Sequence, residues 1–403
     1  MNIAHNSNNI KEIKIHWLLL GEFAAWVGAS FIWPLTSVYL NKQLHISLSV
    51  IGIVLLFNNV ANIIGSTLAG RLYDRLNPYP LIIVGAIADA VILFLMAAFH
   101  GWPIYWVWLT LTGFLAGWNG TLINSIATSL KKYPARRVFT MLYFAQNLGV
   151  VTGTLLVGYM YDYSITLLFV VAALLFVIVA VNSIINYHPI IAYHKLRQVK
   201  QKQKAKFMKM SKANLWLTYS FFVTLIIIWL MYMNWESNLS VYMVSLGIPF
   251  HLYSLLWTIN ATIIVLVQVI LTRFPQIFKT LFRQVLFGML MFALSFVTLI
   301  FAKDFLHFVL SMIIVTLGEA TVMPAIPAYI NDLSPLNSKG KYQGYTMVAS
   351  SVGRALGPLF GGIIIDQSGY ISLFMLAAAV LVINLVVLIP IHQKIKSHLT
   401  LFK

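Results

Sequence analysis

Long apolar segments recur along the whole chain and are separated by short polar stretches. Each is about 20 residues long, the length that an α-helix needs to cross the hydrocarbon core of a bilayer. Because backbone polar groups in lipid must pair within the segment, each segment is predicted to be a helix. The pattern therefore predicts an all-α membrane protein with twelve transmembrane helices. The predicted spans are 17–40, 49–71, 80–99, 103–129, 138–160, 165–186, 214–245, 250–272, 284–303, 305–330, 345–367 and 370–391.

One pattern of glycines occurs twice at a fixed spacing. The copy near the C-terminal end comprises Gly353, Gly357, Pro358, Gly361 and Gly362, and Asp366 follows it. The other copy lies 204 residues earlier and comprises Gly149, Gly153 and Gly158, followed by Asp162. Residues 37–39 and 55–64 also resemble residues 240–242 and 255–264. A parallel repeat of this kind is typical of secondary transporters that rock two lobes against each other.

A basic segment divides the two halves. Residues 189–213 contain eight Lys or Arg residues and no acidic residue. Such a run is usually solvated and meets anionic lipid head groups, although a regulatory partner site is the alternative. We expect a cytoplasmic linker here, between a six-helix lobe at residues 1–188 and a second at residues 214–403.

Composition supports a membrane protein, because 60% of the residues are hydrophobic and only 9% are charged. The net charge is +17, yet nucleic acid is not expected as a partner. With the N-terminus in the cytoplasm, 24 of the 27 Lys and Arg residues fall in cytoplasmic segments. This distribution orients a multi-pass protein of the cell membrane with both termini cytoplasmic. No cleavable signal peptide is expected, and the lack of cysteine excludes disulfides, thiol catalysis and cysteine metal sites.

The loop after the second predicted span resembles a known signature. It reads Gly70-Arg-Leu-Tyr-Asp74-Arg75, and a Gly-x-x-x-Asp-Arg at this place is similar to the signature of the major facilitator superfamily. The resemblance implies the twelve-helix major facilitator fold. It also implies that Asp74 docks at the cytoplasmic start of span eleven when the inner gate is shut, since a helix N-terminus favours a carboxylate. The later glycine and basic residues of the signature are missing at residues 77–80.

The glycine pattern of span eleven resembles the motif of drug:proton antiporters in this superfamily. That motif is best known in span five, where Thr154 here replaces the proline. Glycines four residues apart let helices approach closely, and a proline allows a bend. The resemblance implies a gating role for this pattern, and packing with a hinge is the alternative. The arginine that is usual in span four is absent from residues 112–117, which departs from the antiporter pattern.

Four acidic residues lie within predicted spans and away from their ends: Glu22, Asp89, Glu236 and Glu319. A charge there costs at least about 2.5 kcal/mol, so such residues usually mark proton or ion pathways. Glu319 is predicted to lie roughly 20 Å along its helix, deep in the hydrocarbon. Thr316-Leu-Gly-Glu319 resembles the lactococcal multidrug antiporter group, which implies that Glu319 is a protonation site.

The other buried charges have open interpretations. Several multidrug antiporters carry an acid in span one, as Glu22 does here. Glu236 resembles the span-seven acid of the lactococcal group, with a solvated interfacial acid as the alternative. Asp89 is as compatible with a structural role as with a functional one. Arg354 is the one Lys or Arg residue within a predicted span rather than at its end, and Glu319 and Asp74 are both candidates for pairing with it.

Amide and aromatic side chains are predicted to line a substrate cavity. An aromatic-rich cavity with few charges suits lipophilic ligands, including cations that bind ring faces. The predicted lining residues are Trp26, Trp33, Asn58, Asn59, Asn119, Gln146, Asn147, Trp229, Trp257 and Asn260.

No Gly-x-x-x-x-Gly-Lys-Ser/Thr loop is present, so ATP is not expected to supply the energy. The expected function is proton-coupled efflux of small lipophilic or cationic compounds by alternating access. No enzymatic activity, cofactor or metal is predicted, and a monomer in contact with membrane lipids is expected. The alternatives are a lipid or glycolipid flippase on the same fold and a proton-coupled nutrient symporter.

Overall fold

The computed structural model describes residues 13–127, 130, 135–161, 163–188, 210–335 and 338–399. These residues are almost entirely helical and include no strand, so the predicted all-α fold class is confirmed. Most of the predicted linker, through residue 209, lies outside the described residues, as does Asp162. The side chain of Asp74 also lies outside them.

The first half of the chain contains seven helices among the described residues. They are α1 (Ile15–Ala29), α2 (Trp33–Val38), α3 (Leu48–Arg75), α4 (Pro78–Ala98), α5 (Ile104–Ala127), α6 (Ala135–Met160) and α7 (Ile165–Asn186). A π-helical turn, Tyr39–Gln43, continues α2. Asn77 caps α4 by accepting a 3.1 Å hydrogen bond from the backbone N–H of Tyr79, and Pro78 follows at the first helical position.

The second half contains six helices among the described residues. They are α8 (Lys212–Ser237), α9 (Leu239–Ser245), α10 (Phe250–Arg273), α11 (Leu281–Ile300), α12 (Phe305–Leu333) and α13 (Lys339–Ile395). Short 3₁₀ turns lie at Pro275–Ile277 and Lys396–His398. Gly369 interrupts α13 with φ +80°, a conformation that glycine adopts without steric cost, and divides it into two arms.

Ten segments of the described residues are long and apolar enough to cross a membrane. One of them, Lys341–His398, contains both arms of α13, which correspond to predicted spans eleven and twelve. The fourth predicted span coincides with α5, which is not among the ten because its Trp, Thr, Gly and Asn residues lower its hydropathy. The count of twelve therefore remains a prediction.

The contacts divide the chain into two compact units. One holds residues 1–36 and 57–204, and the other holds residues 37–56 and 205–403. Helix α3 contributes to both units, since its first turns belong to the second unit and the remainder to the first.

Within the second unit, the start of α3 packs closely on α13. Asp366 Oδ2 accepts hydrogen bonds from the backbone N–H and the hydroxyl of Ser49, at 2.8 and 2.5 Å. Ser49 lies in the first turn of α3, where unpaired N–H groups and the helix dipole favour a carboxylate. A Cβ on Gly52 would lie 2.7 Å from the Leu359 nitrogen, so this approach requires a glycine.

Candidate functional site

A seam of two glycines joins α6 to α1 in the first unit. A Cβ on Gly149 would lie 2.8 Å from the Phe23 carbonyl oxygen, 2.8 Å from Trp26 Cβ and 3.2 Å from the Val27 nitrogen. A Cβ on Gly153 would lie 2.7 Å from the Val27 carbonyl oxygen. These distances leave no room for a side chain, so the two helices touch along their backbones.

The second unit repeats this seam between α13 and α8. A Cβ on Gly353 would lie 2.5 Å from the Ile226 carbonyl oxygen, 2.6 Å from Trp229 Cβ and 3.1 Å from the Leu230 nitrogen. A Cβ on Gly357 would lie 2.7 Å from the Leu230 carbonyl oxygen. Each contacted residue follows its counterpart in the first unit by 203 residues, and each glycine follows its counterpart by 204. The glycine repeat therefore marks equivalent packing positions in the two halves.

Glu22 is held by two donors in the first unit. Its side chain on α1 is buried, with 7% exposed. Trp26 Nε1 and Gln146 Nε2 both donate to Glu22 Oε1, at 3.0 and 2.6 Å. Tyr187 lies close by, because a Cβ on the neighbouring Gly21 would be 2.6 Å from its hydroxyl. Three of the predicted residues thus form one cluster.

Glu319 has a similar arrangement in the second unit. Tyr232 Oη on α8 donates to Glu319 Oε2 at 2.7 Å, and Asn260 Nδ2 on α10 donates to the same oxygen at 2.9 Å. Asn260 also donates to Thr316 Oγ1 at 3.0 Å. Glu319 on α12 therefore ties three helices together. Trp257 packs edge-on against Tyr232, with ring centroids 6.4 Å apart.

Arg354 lies over an aromatic ring. Its guanidinium carbon is 4.8 Å from the centroid of the Trp229 ring, and Nη2 donates to Ser351 Oγ at 3.3 Å. Within the described part of the chain, no carboxylate lies within 4 Å of this guanidinium. Glu236 is close enough to interact electrostatically with both Arg354 and Glu319. The second unit therefore groups two acids and one base.

Asp89 forms a separate pair on α4 and α5. It is 4% exposed, and Asn119 Nδ2 donates to Asp89 Oδ2 at 2.6 Å. Gly85 gives Asn119 the space it needs, since a Cβ there would lie 2.8 Å from Trp118 Cδ1 and closer still to the amide oxygen of Asn119. This contact gives Asp89 a hydrogen-bond partner on α5.

The remaining predicted cavity residues make local contacts. Asn58 Nδ2 donates to the Leu109 carbonyl oxygen at 2.6 Å and so binds α3 to α5. Asn147 Nδ2 donates to the Tyr143 carbonyl oxygen of its own helix at 2.8 Å. Asn59 and Trp33 are partly buried.

The Gly-x-x-x-Asp-Arg signature lies at the end of α3. Arg75 is exposed there, and a Cβ on Gly70 would make ordinary contact with Thr121 Cγ2 at 3.7 Å. The docking predicted for Asp74 cannot be followed to its side chain, which is outside the described residues.

Tyr232 is the residue of the acid clusters that sequence reasoning missed. It lies in an apolar helix rich in aromatic residues, where no pattern separates a hydrogen-bonding tyrosine from a packing one. Its place one turn after Trp229, which was predicted to line the cavity, is the available signal.

Comparison with known proteins places the chain in a family. A family model described as Major Facilitator Superfamily matches residues 18–286 and 225–400. The uncharacterized MFS-type transporter YttB of Bacillus subtilis strain 168 is 33% identical over 394 residues, covering 94% of this chain and 95% of that protein. Multidrug resistance protein 1 of the same strain is 23% identical over 370 residues, covering 88% and 90% respectively.

Solved structures share the fold. The crystal structure of a peptide transporter POT has a TM-score of 0.80 at 15% identity and covers 96% of this chain and 95% of its own. That of the nucleoside transporter NupG has a TM-score of 0.77 at 14% identity, with coverage of 94% and 98%. Together with the matched family model, these similarities show that the chain belongs to the major facilitator superfamily and is a multi-pass membrane transporter.

Proposed function

We propose that this transporter exports small lipophilic or cationic compounds in exchange for protons, as in the drug:proton antiporter branch. The observation that carries the proposal is the setting of Glu319. Two donors from two other helices converge on Oε2, and Oε1 has no hydrogen-bond partner among the described residues. A carboxyl in hydrocarbon is costly when charged and is therefore suited to exchanging a proton.

The geometry suits a proton on Oε1. A neutral carboxylic acid with its hydrogen on Oε1 keeps Oε2 as a carbonyl acceptor, so Tyr232 and Asn260 can donate in both protonation states. Protonation then changes the charge at the junction of α8, α10 and α12 without breaking either bond. In this proposal, protons from outside neutralise Glu319, and their release inward resets the carrier.

Glu22 is proposed as the second coupling residue. Its two donors also converge on one oxygen, and it lies between α1 and α6. Asp89 and Glu236 remain further candidates on the proton path. The relatives named multidrug resistance proteins support this branch of the superfamily.

Gating is proposed to follow the superfamily scheme, in a monomer of the cell membrane with both termini cytoplasmic. Asp74 would dock on the cytoplasmic start of α13, aided by Gly70 and Arg75. The glycine pattern of α13, with Pro358, would supply close packing and a bend.

Transport in inverted membrane vesicles tests this function. With an inward-acidic gradient, vesicles that contain the protein should accumulate lipophilic dyes, and a protonophore should release them. A panel that includes cationic and neutral dyes defines the range of substrates. If no dye accumulates against its gradient, proton-coupled efflux is wrong.

Proton symport of a polar nutrient is the second candidate, and one observation favours it. Arg354 supplies a positive charge within α13 that has no carboxylate within 4 Å among the described residues, and a guanidinium is a strong partner for an anionic substrate. The test is uptake of charged nutrients into right-side-out vesicles. The external medium is made either more acidic or more alkaline than the vesicle lumen. Uptake that requires external acid would favour symport over efflux.

A further inference from the structure

The two halves place a tryptophan at the same position but surround it differently. Trp26 on α1 and Trp229 on α8 are 203 residues apart. The Cβ atom of each lies against the matching glycine of its seam, Gly149 or Gly353, at 2.8 and 2.6 Å from the position of an added Cβ. The comparison of their surroundings is therefore a comparison of equivalent sites.

In the second half, a cation covers the tryptophan. Arg354 directly follows Gly353, and its guanidinium carbon lies 4.8 Å from the centroid of the Trp229 ring. This is within the roughly 6 Å over which the ring quadrupole attracts a cation. In the second half, the ring face of this tryptophan therefore binds a cation that the chain itself supplies.

In the first half, the corresponding residue is Val150, which follows Gly149 and carries no charge. Among the described residues, no Lys or Arg lies over the Trp26 ring, and 37% of this side chain is exposed. Its Nε1 donates to Glu22 Oε1 at 3.0 Å, which fixes the indole and places a carboxylate beside it. An exposed ring beside an acid has the chemistry that attracts an organic cation.

We propose that the Trp26 ring face and the Glu22 carboxylate form a seat for a lipophilic organic cation, equivalent to the one that Arg354 fills on Trp229. This inference rests on the proposed function only for the role of the cation as exported substrate. It narrows the substrate class to compounds that carry a delocalised positive charge on an apolar body. A quaternary cation of this class offers no hydrogen-bond donor, so a ring face and a nearby negative charge supply its recognition.

Equilibrium binding to the purified full-length protein tests the seat. The probes are tetraphenylphosphonium, a cation, and tetraphenylborate, an anion of nearly the same shape. The variants Trp26→Phe and Trp26→Leu both lose the indole N–H, but only the first retains an aromatic face. Cation–π attraction contributes about 1–2 kcal/mol, so the leucine variant should bind the cation roughly five- to thirty-fold more weakly than the phenylalanine variant. The anion should bind both variants equally.

A charge graft gives a second and independent test. Val150→Arg introduces in the first half the cation that Arg354 supplies in the second, and Val150→Gln is its long, neutral control. The arginine variant should bind tetraphenylphosphonium at least about tenfold more weakly than the glutamine variant, because its guanidinium competes for the seat.

Two results would overturn the inference. One is equal cation affinity in the two Trp26 variants, or an equal loss for cation and anion, which would make the ring a lipophilic contact only. The other is a folded Val150→Arg protein with the affinity of its glutamine control; if that variant does not fold, the Trp26 pair decides. Binding needs no pH gradient, so a protein that binds the cation at Trp26 yet fails to pump would refute the proposed efflux and leave the seat standing.

Discussion

The acid clusters of the two halves share one hydrogen-bond arrangement but differ in what it connects. Glu22 takes both donors on Oε1, one from its own helix and one from α6. Glu319 takes both on Oε2, and its donors come from α8 and α10. A change of charge on Glu319 therefore acts on three helices and one on Glu22 acts on two.

The duplication has kept backbone packing and changed the polar groups. The glycine seams contact the same backbone positions in both units, whereas the polar partners of Trp26 and Trp229 are an acid in one half and a base in the other. Backbone contacts leave no room for substitution, because even a methyl group would collide. Side chains that face one another can change in pairs, so function is expected to diverge there.

The largest expected effect separates the two acids. Glu319→Gln keeps an acceptor for Tyr232 and Asn260 and mimics the protonated form, so pH-driven dye accumulation should be abolished while downhill equilibration persists. Glu22→Gln should impair accumulation of cationic dyes more than that of neutral ones. Both are measured in inverted vesicles with and without a pH gradient.

If both acid variants transported at the wild-type rate, neither acid would be required for proton transfer. Asp89 and Glu236 would then be the next candidates. Equal loss with every dye in both variants would erase the proposed difference between the halves. Protein amount in each vesicle preparation is the control, since a misfolded carrier also fails to transport.

The seams should be equally intolerant of a methyl group. Gly149→Ala and Gly353→Ala each force a Cβ to within 2.8 Å or less of a backbone oxygen, and such overpacking costs typically about 1–3 kcal/mol. Gly344→Ala, also on α13, is the matched control, because nothing lies within 4 Å of its added Cβ. Unfolding temperatures in detergent measure the difference. A large loss at one seam without the other would contradict their equivalence.

Much of this organisation follows from the sequence because it depends on local pattern. Apolar length predicts helices, and the spacing of Gly149 and Gly353 predicts the repeated packing. The partners of buried polar groups depend instead on how helices cross, which no local pattern contains. The hydrogen bond of Asn58 to a carbonyl of α5 and the contact of Arg354 with the Trp229 ring are examples. Tyr232 was missed for the same reason.

The smallest expected effect concerns the start of α12, which again distinguishes the halves. Asp304 caps this helix, with Oδ1 accepting from the His307 backbone N–H at 3.1 Å and lying 2.8 Å from His307 Nδ1. These hydrogen bonds hold the pKa of Asp304 below its ordinary value. In the first half, Pro103 directly precedes α5 and offers no side-chain acceptor for a cap. An acid-dependent cap is therefore expected in the second half.

A depressed folded-state pKa fixes the sign of the pH dependence. The cap contributes its stability above the unfolded pKa of about 3.9 and loses it as the pH falls through the lower folded value. Asp304→Ala should therefore lower the unfolding temperature slightly at pH 7, and the difference from wild type should shrink as the pH is taken below about 4. Asp304→Asn is the matched control, because asparagine caps a helix as well as aspartate but does not titrate. If the alanine variant differed from wild type by the same amount at acid and neutral pH, the ionised carboxylate would not be what stabilises this helix end.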